Sequence, residues 1–488
     1  MGERTEYNTN AREDADVRTE RGSSPSVPLL LALSSLGAIL APLNSTMVAV
    51  ALPDIRDEFS LSHSAVAWLI SGYLIAMAVA QPIGGRLGDQ IGRARVYRYG
   101  LLAFLVLSVA TSFAPNFPLL VTLRVAQAVA GAVLIPNGMA MLRAHAPADQ
   151  LGRLNGITGA VLSFAAATGP LVGAATLAVG SWRWLFPLSV PFIVLALVLL
   201  QKLDEREPAR IPRTPLDWIG MLLFVAMLAA LTLQLSALRG DDGGAEMAMR
   251  WLGTGAIAIA FVWRQRATAS PAAEWRLFKV RSFAAATTYN LLTNLTMYTI
   301  LLMIPFFVRE VQGKSTELSG LLLGAMSVLV AITAPLGGRL SDAWGRRPSA
   351  QVGSMLMLIA TIALLAGLSR TVSPAYLAGC LALLGLGLGL GVGAANTAAV
   401  ESAPRSLAGS AAGTSSMMRY VGSIVGAGIL AGVLNDSSAG GGDVMTFRLV
   451  MLAVIFTAAL AAVTSTFIHR FAVPETIPVP PGPTAATI

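Results

Sequence analysis

Charge is scarce in this chain: only 12% of its 488 residues are Asp, Glu, Lys or Arg, while 55% are hydrophobic. A soluble protein of this length needs more charge to cover its surface. Cysteine occurs once, so an intrachain disulfide is excluded, and the three histidines make no His/Cys cluster along the sequence. No phosphate-binding loop and no nucleophile elbow is present, and the glycine repeat over 385–393 lies inside an apolar run, where a dinucleotide turn cannot sit. These absences argue against an enzyme. Acidic residues are also missing from the middle of every long apolar run; Asp89, Asp217, Glu310, Asp342 and Glu401 come nearest, all at run ends.

The apolar runs themselves are long and uninterrupted. About 20 apolar residues span a bilayer as a helix, and a helix is required because lipid offers the backbone no hydrogen-bond partners. Runs near 28–51, 65–83, 96–114, 117–142, 153–178, 185–200, 216–238, 249–265, 283–307, 317–337, 349–369, 375–399, 408–434 and 446–468 predict fourteen spans. An even count places both termini on one side. The net charge of +8 could point to nucleic acid, but most of the 34 Lys and Arg fall in the segments that share the N-terminal side. That is the positive-inside pattern, so nucleic acid is excluded as a partner and both termini are expected in the cytoplasm of a cell-membrane protein. Residues 1–27 and 471–488 read as disordered cytoplasmic tails.

One motif occurs twice. Residues Pro82 to Arg93 read PIGGRLGDQIGR and Pro335 to Arg346 read PLGGRLSDAWGR, with eight of twelve positions identical. The copies follow spans 2 and 10, on the same side. Two six-span halves alone would separate them by six spans, so two extra spans lie between the halves. The expected organisation is all-α: a six-helix bundle over 28–202, a linker with two extra transmembrane helices over 203–282, and a six-helix bundle over 283–470. Parallel halves with a site at their interface are a transporter design.

The two loops resemble the signature loop of the major facilitator superfamily. Arg124 and Gln127 in span 4 resemble its RxxQ motif. Gly169, Pro170 and Gly173 in span 5 resemble the GPxxG motif associated with antiporters. LNSTMVAVALP (Leu43–Pro53), SWRWLFPLSVP and SPAAEWRLFKVRSF are similar to patterns of the fourteen-span drug:proton antiporter branch. The resemblance covers roughly residues 28–470. It implies a multidrug or antibiotic efflux carrier working by alternating access, with the proton as coupling ion, no other cofactor and no metal. Where the branch carries an intramembrane Asp in span 1, this chain has Asn44, which cannot titrate. A facilitator, or a carrier of other coupling, therefore stays open as the alternative. Nothing specifies an oligomer, and a monomer is the default.

Three sets of residues are candidates for the work. The cytoplasmic gate comprises Gly85, Arg86, Asp89, Gly92 and Arg93 with Gly338, Arg339, Asp342, Gly345 and Arg346: small residues for close helix approach, arginines to bond helix-end carbonyls across the seam between the halves. Gly169, Pro170 and Gly173 form a kink, since Pro removes a backbone hydrogen bond. For the cavity, Asn290, Asn294 and Tyr298 recur every four residues and form one stripe, which lines a substrate cavity or bonds neighbouring helices. Asn44, Ser45, Trp68, Tyr73 and Gln81 are candidates for the opposite wall. Arg124 and Arg419 lie inside spans and need acceptors, with backbone carbonyls the plain alternative. A core with Arg and no carboxylate suits neutral or anionic small molecules better than cations.

Overall fold

The computed structural model describes residues 26–147, 150–203, 217–237, 244–268, 275–404, 407–434 and 444–471. The expected tails, except 26–27 and 471, lie outside the described residues, as do 204–216, 238–243 and 269–274 of the expected linker. Within them every regular element is helical. The spans are α1 (Val27–Phe59), α2 (His63–Ile91), α3 (Arg93–Ser112), α4 (Phe117–His145), α5 (Leu151–Val179), α6 (Trp182–Leu200) and α7 (Trp218–Ser236). They continue as α8 (Gly244–Ala267), α9 (Arg281–Val311), α10 (Thr316–Trp344), α11 (Arg346–Gly367), α12 (Pro374–Glu401), α13 (Ala408–Leu434) and α14 (Val444–Ser465). Thirteen of these regions are long and apolar enough to cross a membrane, and α5 adds a shorter apolar stretch at Phe164–Val179.

Local chemistry sets the boundaries. Ser62, Asn116, Asp217 and Ser373 each accept a hydrogen bond from a backbone N–H of the first turn that follows, at 3.0 to 3.2 Å. Helix α4 is interrupted at Val133. Helix α6 opens as short 3-10 turns around Pro187 before running regularly from Val190. The last turn of α9, Phe307–Val311, widens to a π-helix, a local irregularity that re-aims side chains.

Helices α1 to α6 pack on one another, and so do α9 to α14. The two groups meet along α5 with α10, α2 with α13, and α1 with α9. Glycine makes the first seam tight: a β-carbon on Gly320 would lie 3.0 Å from the Pro170 carbonyl oxygen, and one on Gly324 would overlap Leu171. Helix α7 lies against both α2 and α13, and α8 packs on α7. The extra pair therefore leans on the outside of one seam. Burial follows this layout: 83% of the apolar window of α9 is buried, against 11% for α8.

The sequence repeat is a structural repeat. Helices α2 and α10 have 29 residues each and start and end 253 positions apart. The turns that end them sit at Gly92 (φ 107°) and Gly345 (φ 102°), a backbone conformation that side chains disfavour. That is why both copies carry glycine there.

Candidate transport site

Arg124, on α4, has no exposed surface. Its Nη1 donates to Asn44 Oδ1 on α1 and, at 2.7 Å, to Gln127 Oε1 one turn on. Gln127 Nε2 donates to Ser108 Oγ on α3 at 2.8 Å, and Ser189 Oγ on α6 donates to the same oxygen at 3.2 Å. The guanidinium lies 4.1 Å from the centre of the Tyr73 ring and 5.6 Å from that of Phe186. A buried cation without a carboxylate is costly; here amide oxygens and aromatic faces offset the cost. They do so incompletely. Arg124 Nε and Nη2 and Asn44 Nδ2 are buried and have no protein acceptor. The α1 partner of Arg124 is thus the Asn44 side chain and not a backbone carbonyl.

Residues of the C-terminal group face this network. Tyr298 OH lies 3.2 Å from Ser45 Oγ, joining α9 to α1. Gln81 on α2 is in hydrogen-bonding range of Tyr420 on α13. Arg419 is near enough to Tyr298 and Tyr420 to act on both electrostatically. Its Nη2 donates to Ser416 Oγ at 3.1 Å, and its Nε is buried with no acceptor. Asn290 is fully buried and donates to Asn396 Oδ1 at 2.9 Å and Ser415 Oγ at 3.1 Å, tying α9 to α12 and α13. Asn294 donates to the Asn290 carbonyl at 2.9 Å. The polar stripe therefore divides: Asn290 bonds neighbouring helices, and Tyr298 reaches the other half. Trp68 is half-buried and packs against the main apolar core.

The duplicated loops are clamped within each half. Arg93 pairs with Asp89 at 3.0 Å and donates to the Ala140 carbonyl of α4 at 3.0 Å. Arg346 pairs with Asp342 and grips both oxygens of Glu401, at the end of α12, at 2.8 and 3.0 Å. Among the described contacts neither arginine crosses the seam. Both bonds tie the α2–α3 or α10–α11 turn to the fourth helix of its own half. The close helix approaches fall one residue before Gly85 and Gly338. A β-carbon at Gly84 would collide with Val133, and one at Gly337 would lie 2.6 Å from the Gly389 carbonyl oxygen. At Gly85 it would touch Pro136 at 3.5 Å, and at Gly338 it would meet nothing within 4 Å. Arg339 is exposed. In α5, Gly169 and Gly173 face Thr46 and Met47 of α1, while Pro170 faces α10.

At the other end of the bundle is a cluster that reading the chain for motifs missed. Arg56 pairs with Glu310, and Arg309 pairs with Asp57 and Asp54, each at 3.2 Å. His63 Nε2 lies 2.8 Å from Glu310 Oε1, and Thr316 Oγ1 donates to Asp54 Oδ1 at 3.1 Å. The signal was available: Arg309, Glu310 and Thr316 follow Arg56, Asp57 and His63 by the same 253 positions that separate the duplicated loops.

Among the described residues, twelve of the fourteen helices form two six-span groups with polar residues of both meeting between them, the arrangement of a membrane transporter. A sequence model of the Major Facilitator Superfamily matches residues 34–427, and the chain belongs to that superfamily. It is 31% identical to the multidrug resistance protein Stp of Mycobacterium tuberculosis over 413 residues, covering 83% of this chain and 75% of Stp. It is 24% identical to the riboflavin transporter RibZ of Clostridioides difficile over 373 residues, covering 76% of this chain and 80% of RibZ. The fold matches the crystal structure of a D-xylose-proton symporter with a TM-score of 0.64 at 15% identity, over 92% of this chain and 98% of that one.

Proposed function

We propose that this protein exports small amphipathic molecules of neutral or negative charge by proton-driven alternating access, with both termini in the cytoplasm of a bacterial cell. The observation that carries the reading is the set of buried donors without acceptors: Asn44 Nδ2, Arg124 Nε and Nη2, and Arg419 Nε. They flank the Ser45–Tyr298 contact, where the two six-span groups touch. A ligand that brings carbonyl, phenolate or carboxylate oxygens satisfies these donors, whereas a permanent cation leaves them empty and adds like charge. Apolar walls and aromatic rings take the rest of an amphipathic molecule. The likeness to a multidrug resistance protein supports export as the direction.

Proton coupling is the part of this reading that Asn44 opposes. The chain carries an amide where a titrating group would serve, so a carrier driven by the substrate gradient alone is the second reading. Transport in proteoliposomes decides between them. We expect efflux of a fluorescent amphipathic anion to exceed that of a permanent cation of matched hydrophobicity, and to stop when a protonophore collapses the pH gradient. Faster efflux of the cation overturns the substrate class. Anion efflux that ignores the protonophore establishes the second reading.

A further inference from the structure

The ion pairs at the end opposite the duplicated loops have a symmetry that isolated surface pairs do not. Arg56-Asp57 on α1 and Arg309-Glu310 on α9 occupy the same position in the two repeats, 253 residues apart. Each arginine pairs with the acid of the other dipeptide: Arg56 with Glu310, Arg309 with Asp57. This is the reciprocal contact of a twofold interface, in which residue i meets j and j meets i. The flanking positions follow the same rule. His63 and Thr316, the first residues of α2 and α10, are also repeat mates, and each hydrogen-bonds into one of the two pairs.

We propose that these paired dipeptides are the latch that holds the outer mouth of the transport pathway closed. The proposal rests on the alternating-access reading above and not on any cargo. The cross-pairs, unlike the clamps at the duplicated loops, join α1 and α2 to α9 and α10. Their structural effect is to bind one six-span group to the other at this end. The two halves of the latch are unequally protected. The side chains of Arg56 and Glu310 are 17% and 12% exposed, those of Arg309 and Asp57 39% and 40%. The Phe306 ring shields the first pair, lying under the Arg56 guanidinium at 5.6 Å and against His63 at 5.2 Å. The Arg56–Glu310 pair is less screened by solvent and carries more of the closure. Beneath it is an apolar cavity of about 10 Å³, with Leu52 and Ala67 from one group and Leu302, Leu430 and Ala431 from the other. That is space for about one water molecule, between the two groups and lined also by His63 and Phe306 of the latch.

Thiol labelling in whole cells tests this. The native cysteine is first replaced (Cys380→Ser), and Ala431→Cys places a single thiol in the cavity wall. A membrane-impermeant maleimide added outside should label it slowly. Arg56→Glu, Glu310→Arg and the uncharged, similarly shaped Glu310→Gln should each raise labelling severalfold at equal surface expression. The exchange Arg56→Glu with Glu310→Arg should bring it back to the starting rate. Unchanged labelling in the single variants overturns the latch. So does an exchange no better than its parts, which would mean that charge loss merely loosens the fold. Glu310→Gln keeps the test valid if the reversals fail to reach the membrane. Labelling reads conformation without transport, so it can succeed where the proposed cargo fails.

Discussion

Ser45 Oγ and Tyr298 OH face each other at 3.2 Å, and the two residues hold the same position in the two repeats, 253 residues apart. Repeat mates can touch only where the axis relating the repeats passes between them. The contact therefore lies on that axis, between the two six-span groups. Tyr298→Phe removes one hydroxyl from this contact and leaves Ser45 without it. A buried hydrogen bond contributes about 1 kcal/mol. We expect the unfolding temperature to fall by a few degrees at most, measured by thermal unfolding in detergent.

Asn44→Asp places a carboxylate against Arg124, whose Nη1 now donates to two neutral amide oxygens, those of Asn44 and Gln127. The new ion pair neutralises a buried charge, and a buried charge-assisted pair replaces a neutral acceptor. The unfolding temperature should rise. Efflux of amphipathic anions should fall relative to neutral analogues, because the net charge of the site drops by one. A flux assay with a matched anion and neutral compound checks the ratio.

Arg124→Lys should not behave as a conservative change. The guanidinium bonds Asn44 and Gln127 and lies over Tyr73, while an ammonium offers a point charge without the planar fork. Transport should fall at least tenfold, on the order expected when a buried hydrogen bond from a charged donor, worth about 1.5–3 kcal/mol, is lost, with the protein still reaching the membrane. Surface expression measured beside flux separates the two effects.

The two copies of the duplicated loop should tolerate change unequally. Gly92 and Gly345 both have positive φ, so alanine at either position costs on the order of 1–3 kcal/mol in backbone strain. At Gly345 a β-carbon would also lie 2.5 Å from the Arg470 carbonyl oxygen. Gly345→Ala and Gly92→Ala should therefore each lower the unfolding temperature. Arg346→Ala should cost more than Arg93→Ala, since Arg346 holds two carboxylates and Arg93 holds one. Thermal unfolding in detergent reads these effects.

Span number, the order of the elements and the repeat were legible from apolar length and one duplicated motif. The glycines of 385–393 were legible as helical too. Gly385 and Gly389 face α10, and Gly387 and Gly391 face Gly353 of α11 and Tyr289 of α9, so each face takes a neighbour. The rotation of a helix about its axis was less accessible. That is why the tight contacts fall at Gly84 and Gly337 and not at their neighbours, and why Asn290 turns toward α12 and α13. The ion pairs of Arg56 and Arg309 were hidden for another reason. A charge at a span end reads as a topology marker until a partner 253 residues away is brought beside it.

The central claim is that the two six-span groups pivot about the Ser45–Tyr298 contact and open one end as the other closes. Paired spin labels in a Cys380→Ser background measure this directly. One sample carries them at Ile91 and Trp344, exposed repeat mates at the ends of α2 and α10, and the other at the exposed Phe113 and Leu321 at the opposite end. Distances are compared with and without the anion that gives the greatest flux. The account predicts that the two distances change in opposite directions. If both lengthen, both shorten, or neither moves while transport proceeds, the account is wrong.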